Sequence, residues 1–198
     1  MRSGRRLRGA ARIRYFAPLA VSVARVRKEV ELWRHTDADG DVLTAEGVRA
    51  ALEIGAHLSG NYDLAVSTGA QRATQTLACF LAALGQEVPG GVVVEPGLRS
   101  DVEDRWRSAY EKAGSGELAA LREADPALVE EDSERLGAAL HRILDGLPDD
   151  GRALAVGHSP TNEAAVLGLT GEIMASLGKG EGLLVVGGED GYSVQPLQ

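Results

Sequence analysis

Short apolar runs alternate with longer stretches of helical spacing along most of the chain. Glu29 to Arg34, EVELWR, reads as a short strand. From Thr44 to Leu58 the positions Val48, Ala51, Leu52, Ile54, Gly55 and Leu58 fall near one face of a helix. Thr44 is a good N-cap for it, and Gly60-Asn61 closes the unit. Leu64 to Ser67 reads as a second strand and Ala70 to Leu84 as a second helix, ended by Gly85. After the turn Pro89-Gly90-Gly91, Val92 to Glu95 is a third strand, ended by Glu95. Residues 100–146 have helical spacing, broken near Gly114-Ser115-Gly116 and at Asp125-Pro126. Leu136, Ala139, Leu140, Ile143 and Leu144 form the apolar stripe of the last of these helices. Arg152 to Val156 is a fourth strand, Thr161 to Leu169 a short helix, and Leu183 to Val186 with Tyr192 to Val194 a closing hairpin. Strands that alternate with helices predict an α/β domain, a three-layer sandwich whose mainly parallel central sheet is flanked by helices.

Composition changes this picture little. The chain has 198 residues, enough for one domain with a real core, and is 44% hydrophobic and 25% charged. Aromatic residues are only 4%, so the core must rest on Leu, Val and Ala. Cys79 is the one cysteine, which rules out an intrachain disulfide and suits a reducing, cytoplasmic compartment.

Charge divides the chain in two. Residues 1–28 hold eight Arg, Lys28 and no acid. Of the chain's 21 basic residues, 12 therefore remain against 29 acids in residues 29–198, a balance of −17. The expected organisation is a basic leader over 1–28 and a catalytic domain over 29–198. The leader has three readings: a disordered extension or early start, an export signal of the twin-arginine kind, or a surface-binding tail. The acidic body is a poor general binder of nucleic acid, and no stretch has the roughly 20 apolar residues of a membrane-spanning helix. An anion site in that body has to be a local basic pocket.

In open parallel α/β sheets, ligands bind beyond the carboxyl ends of strands. Arg34-His35-Thr36 follows the first strand and Ser67-Thr68-Gly69-Ala70-Gln71-Arg72 the second. Gly97-Leu98-Arg99-Ser100-Asp101-Val102-Glu103 follows the third, and Gly157-His158-Ser159-Pro160 the fourth. Two His and two Arg thus fall at strand-to-helix junctions. His57 and His141 fall inside predicted helices and read as surface or satisfied residues.

This set resembles the histidine phosphatase superfamily, which includes the phosphoglycerate mutases and the small phosphohistidine protein phosphatases. Its Arg-His signature appears as LWRHT (Leu32 to Thr36), and its Leu-Thr-x-x-Gly pattern as Leu43-Thr44-Ala45-Glu46-Gly47. The second arginine motif appears as STGAQRATQT (Ser67 to Thr76), and the second histidine as VGHSPTNEA (Val156 to Ala164). The resemblance covers about residues 29–196. It implies a phosphoglycerate mutase-like fold and a phosphatase acting on a phosphomonoester or a phosphohistidine. His35 would be the nucleophile, forming a covalent phosphohistidine. Arg34, Arg72 and His158 would hold the phosphoryl group, with Thr36 and Asp101 as further substrate contacts, and no metal or cofactor would be needed. The partner would be a phosphorylated small molecule or a phosphohistidine protein, with no nucleic acid and no membrane for the core domain.

Elementary chemistry agrees. Guanidinium forks match phosphoryl oxygens, helix N-termini add N–H donors, and a neutral imidazole is a competent nucleophile. Arg34 and Arg72 are expected to keep His35 neutral. A carboxylic acid should protonate the leaving oxygen. The resemblance implies Leu-x-Glu after the third strand, but the residues there are Leu98-Arg99-Ser100. Glu103 is the preferred replacement and Asp101 the second; either also fits a solvated acid at a helix start.

Other chemistries fit less well. Asp37-Ala38-Asp39-Gly40-Asp41 looks like the start of a calcium loop, but Val42 stands at its sixth position and Val48 at its twelfth. It reads instead as an acidic surface loop. His35 and His158 lack the close spacing of zinc ligands, and Gly178-Lys179 lacks the P-loop pattern. The alternatives to a phosphatase are a catalytically weak phosphate-binding or protein-interaction module on the same fold, or mutase-type phosphoryl transfer.

Overall fold

A computed structural model describes residues 26–197. In chain order the elements are β1 (Arg27–Arg34), β2 (Ala38–Asp39), β3 (Val42–Leu43), α1 (Ala45–His57), β4 (Leu64–Ser67), α2 (Gln71–Leu84) and β5 (Val92–Val94). A 3-10 turn at Pro96–Leu98 precedes α3 (Glu103–Ala113), α4 (Leu118–Ala124) and α5 (Pro126–Gly146). The chain ends with β6 (Arg152–Gly157), α6 (Thr161–Thr170), β7 (Gly182–Gly188) and β8 (Gly191–Pro196).

The six-stranded sheet has the order β5-β4-β6-β1-β7-β8. The pairs β5–β4, β4–β6 and β6–β1 are parallel, and β7 and β8 run antiparallel at one edge. Side chains alternate across it. Val30 and Leu32 of β1 and Ala153 and Ala155 of β6 join a core made with α3 to α6. Trp33, Ala65, Leu154 and Val156 point the other way, into a core with Ala51, Ala73, Leu77 and Phe80 of α1 and α2. Three layers result, and the core is built mainly from Leu, Val and Ala, as the scarcity of aromatics predicts. No helix among the described residues is long and apolar enough to cross a membrane.

The register fixes where the chemistry emerges. Arg34 lies opposite Gly157, and Ser67 lies opposite Val156. The next residues, His35, Thr68 and His158, therefore leave one edge of the sheet side by side.

Two helices approach unusually closely where glycine allows it. A Cβ on Gly168 of α6 would stand 1.7 Å from the Ser133 carbonyl of α5, and one on Gly137 of α5 would stand 2.5 Å from the Gly168 backbone. At α1, Thr44 is the N-cap, its hydroxyl accepting the Gly47 N–H at 3.0 Å. A Cβ on Gly47 would meet the Asp37 carbonyl at 1.9 Å, so this glycine lets α1 sit against the loop after β1.

The structure departs from the sequence expectations in three places. Strand β1 begins at Arg27, so Arg27 and Lys28 of the expected leader are strand residues, paired with Gly188 and Gly187 of β7. The charges of RKE hid this, because these residues stand partly exposed and are held by Asp150 and Asp145. The readings of the leader over residues 1–25 lie outside the described residues. Residues 38–43 form a small hairpin, β2–β3, where a surface loop was expected. Glu95 lies beyond β5 and caps the 3-10 turn, accepting the Gly97 N–H at 3.0 Å.

Gly168→Ala forces a methyl into the α5–α6 contact and should destabilise the fold by about 1–3 kcal/mol, measurable as a lower urea midpoint at unchanged m-value.

Candidate active site

The loop after β1 presents His35, which is 8% exposed. Its Nδ1 lies 2.7 Å from the Thr36 carbonyl oxygen. A carbonyl can only accept, so Nδ1 carries the proton and Nε2 keeps its lone pair. Arg72, second residue of α2, donates its Nε–H to that Nε2 at 3.2 Å. The same Nε–H reaches Nδ1 of His158 at 3.3 Å. His158, just beyond β6, is 8% exposed, and its Nε2 lies 3.0 Å from the Thr68 hydroxyl after β4. With Nδ1 accepting, Nε2 carries the proton and donates to Thr68. The two rings meet edge-on with centroids 5.2 Å apart.

Both imidazoles are held neutral. Burial is the largest cause for His35, lowering its pKa from 6.5 to about 4; the Thr36 carbonyl opposes this, and Arg72, Arg34 and Lys179 add to it. The arginines therefore act as expected but second to burial. His158 is lowered to about 3, by burial first and then by Arg72, His35 and Arg99.

Arg72 is itself braced. Its Nη1 lies 3.0 Å from Oδ1 of Asp41, in the β2–β3 turn. The other Asp41 oxygen accepts the Gln71 N–H at 3.1 Å, where Ala70 offers α2 no side-chain cap. Desolvation works against the Asp41 charge, but the Gln71 and Arg72 N–H groups and the Arg72 guanidinium outweigh it and hold the carboxyl below its ordinary value. Asp37 binds the Thr44 hydroxyl at 2.7 Å and pairs with Lys179. Two acids of the run at 37–41, Asp37 and Asp41, thus brace the site from its surface, while Asp39 is exposed.

Arg34 emerges beside His35, with its Nη1 donating to the Leu177 carbonyl. Its Nε is buried with no hydrogen-bond partner among the described residues. Thr36 turns away from the histidines. Its hydroxyl donates to the Gly47 carbonyl at 2.8 Å and its N–H to the Thr76 hydroxyl at 3.2 Å, tying the loop to α1 and α2.

A cavity of about 190 Å³ adjoins this group, lined by Arg72, His158, Ser159, Arg99, Ser100 and Glu103 among others. A larger one of about 650 Å³ shares Arg99, Ser100 and Glu103 and adds Thr68, Gly69, Val94 and Asp101. Glu103 therefore reaches the histidine side, but its carboxylate accepts the Arg99 Nε–H at 2.6 Å. Asp101 lines only the larger cavity; its side chain is 84% exposed and stands 3.6 Å from Arg135. Ser100, where the resemblance implies Glu, is buried and caps the Val102 N–H at 3.1 Å.

His57 and His141 stand apart, as expected. His57 bonds the Glu53 carbonyl at 2.8 Å, and His141 lies 3.1 Å from Asp145. Sequence reasoning missed Thr68, Asp41, Arg99 and Lys179 as neighbours of the site. Thr68 could have been found, since it follows a strand as His35 and His158 do; the other three act across long separations.

No protein-family model and no curated protein matches the chain by sequence. Solved structures do match by shape. Phosphoglycerate mutase from Bacillus anthracis str. Sterne superposes with a TM-score of 0.67 at 19% identity, over 87% of this chain and 93% of that one. Alpha-ribazole phosphatase from Shigella flexneri gives a TM-score of 0.58 at 18% identity, over 85% and 95%. The protein histidine phosphatase SixA, complexed with tungstate, gives 0.53 at 20% identity, over 84% and 94%. With its mainly parallel central sheet flanked by helices, the chain has a phosphoglycerate mutase-like fold.

Proposed function

We propose that this protein is a phosphatase that hydrolyses a phosphomonoester or a phosphohistidine through a covalent phosphohistidine on His35. One observation carries the reading: a single guanidinium N–H, that of Arg72, points at the lone pairs of two neutral, buried imidazoles. The names of structural neighbours support it, among them a protein histidine phosphatase and an alpha-ribazole phosphatase.

The residues take these roles. A phosphoryl group entering between His35 and Arg72 replaces their mutual hydrogen bond. His35 Nε2 forms the N–P bond as the P–O or P–N bond to the leaving group breaks. The proton on Nδ1, held by the Thr36 carbonyl, stabilises the phosphoimidazole. Arg34 and Arg72 take up the charge of the equatorial oxygens, and His158 joins them as a donor in its other tautomer, with Nε2 accepting from the Thr68 hydroxyl and Nδ1–H turned to the phosphoryl group; this is most of what phosphoryl transfer requires. Glu103 protonates the leaving atom, then removes a proton from the water that releases phosphate; it is preferred to Asp101 because it lines the cavity that Arg72 and His158 share. Thr36 fixes the loop of His35. The guanidinium charge makes this chemistry independent of added metal.

The Arg99 bond to Glu103 and the serine at position 100 favour a substrate whose leaving group needs little acid help. A phosphohistidine protein meets that condition, since imidazole leaves readily, and the open cavity admits a macromolecular surface. The same features favour a weak phosphate-binding module, which hydrolysis of an aryl phosphate would exclude.

His35→Ala should abolish turnover and the adduct. Alkaline quenching and mass mapping should place the phosphoryl group on His35 in the wild type, and an adduct at Ser67, Cys79 or His158 would overturn the assignment. Arg72→Ala should raise the barrier by about 2–4 kcal/mol, roughly 30- to 1000-fold in kcat/KM. Turnover should survive a chelator; loss with rescue by magnesium or zinc would refute the mechanism.

A pH dependence of stability also follows. Both histidines titrate below 6.5 when folded, to about 4 and about 3, so the unfolded chain binds protons that the native one does not. Stability should therefore fall as pH drops from 6.5 towards 4, and urea titrations of His35→Gln and His158→Gln should show a shallower fall over that window.

A further inference from the structure

Glu163, in the first turn of α6, is 1% exposed and has no part in the chemistry above. Its Oε1 accepts two hydrogen bonds, from the Ser159 hydroxyl at 2.5 Å and from the Leu177 N–H at 2.7 Å. Its Oε2 is buried with no partner among the described residues. Buried carboxyls rarely persist without a reason, because leaving a polar atom unpaired is unfavourable.

The Leu177 peptide is gripped at both ends. Its N–H is bound by Glu163 and its carbonyl by the Arg34 guanidinium. Leu177 lies between α6 and β7, in residues 172–178, which have no regular helix or strand. No sheet or helix ladder fixes this peptide, so the bond to Glu163 anchors the acceptor on which Arg34 rests. The Ser159 bond ties the same carboxyl to the residue after His158. Arg34 also interacts electrostatically with this carboxyl.

We propose that Glu163 is a positioning residue for Arg34: by anchoring the Leu177 peptide to α6, it sets where the guanidinium stands against a bound phosphoryl group. This rests on the reading of Arg34 as a phosphoryl ligand. The role depends on reach and acceptor geometry rather than on charge. Burial pushes the Glu163 carboxyl up from its ordinary value, and the two bonds to Oε1 need only an acceptor oxygen, which an amide also supplies. Glutamine keeps the length and an acceptor oxygen. Aspartate keeps the carboxyl but withdraws it by one methylene, too short to bridge Ser159 and Leu177.

The test compares the full chain with Glu163→Gln, Glu163→Asp, Arg34→Ala and the Glu163→Asp, Arg34→Ala double variant. Folding is checked by circular dichroism, the affinity for inorganic phosphate by calorimetry, and kcat and KM with an aryl phosphate. Glu163→Gln should stay within about threefold of wild type, whereas Glu163→Asp should lose about tenfold in phosphate affinity and in kcat/KM. In the Arg34→Ala background the aspartate substitution should add less than about twofold, because its effect passes through Arg34. A folded Glu163→Asp equal to wild type, or a loss that persists without Arg34, would overturn the proposal. If Glu163→Asp does not fold, Glu163→Gln decides, and a tenfold loss there overturns it. A wild type that binds phosphate without turnover would refute the phosphatase reading alone, since the phosphate affinities still test Glu163; one that binds no phosphate would overturn both.

Discussion

One guanidinium N–H shared between two imidazole lone pairs is possible only if both rings are uncharged, and the rest of the site is arranged to meet that condition. Two protonated histidines with ring centroids 5.2 Å apart beside Arg72 would repel each other and the cation. Burial removes most of the tendency to protonate. The Thr36 carbonyl then selects the tautomer that turns His35 Nε2 towards Arg72, and the Arg72 Nε–H itself keeps His158 Nδ1 an acceptor, with the Nε2 proton donated to the Thr68 hydroxyl. On the proposed function, the His35 lone pair is thus prepared by desolvation and by ordinary hydrogen bonds.

The sheet register supplies the geometry that local sequence could not. His35, Thr68 and His158 lie far apart in the chain and meet because β1, β4 and β6 are parallel neighbours ending at one level. The close approach of α5 to α6 through Gly137 and Gly168 sets the depth of α6, and with it the place of Glu163 beneath the His158 turn.

Much of this was legible in the sequence, and the reasons for the remainder are physical. Strands with apolar alternation and helices with clear caps, such as Thr44 and Gly85, match the structure within a residue or two. Arg34, His35, Arg72 and His158 gather at one end of the sheet because Arg34 ends a strand and the others come soon after one, which is a local signal. The start of β1 was hidden by charged residues whose contacts, the Arg27 N–H to the Asp150 carboxylate and the Lys28 ammonium to the Asp145 carbonyl, lie more than a hundred positions away. The roles within 37–41 were hidden likewise, since a run of acids looks the same whether it faces solvent or caps a helix 30 positions on. Thr36 looked like a substrate contact from its place next to His35, and only the fold shows its hydroxyl committed to Gly47. The proton donor was the least legible element. Its motif position holds Ser100, and which nearby acid faces the histidines depends on how α3 begins.

The α2 N-terminus has a consequence for how the protein is made. Ala70 cannot cap the helix, and Asp41, in a hairpin formed earlier in the chain, does so instead while holding Arg72. The cation of the site is therefore put in place by a tertiary contact and not by its own helix. An isolated α2 peptide, or a chain in which the hairpin has not docked, would lack the proposed anion site. An oxyanion that binds between Arg72 and the histidines selects the native chain over every partly folded one, and in excess it shifts the folding equilibrium by mass action. On the proposed function, ligand recognition would in that sense also be a check on completed folding.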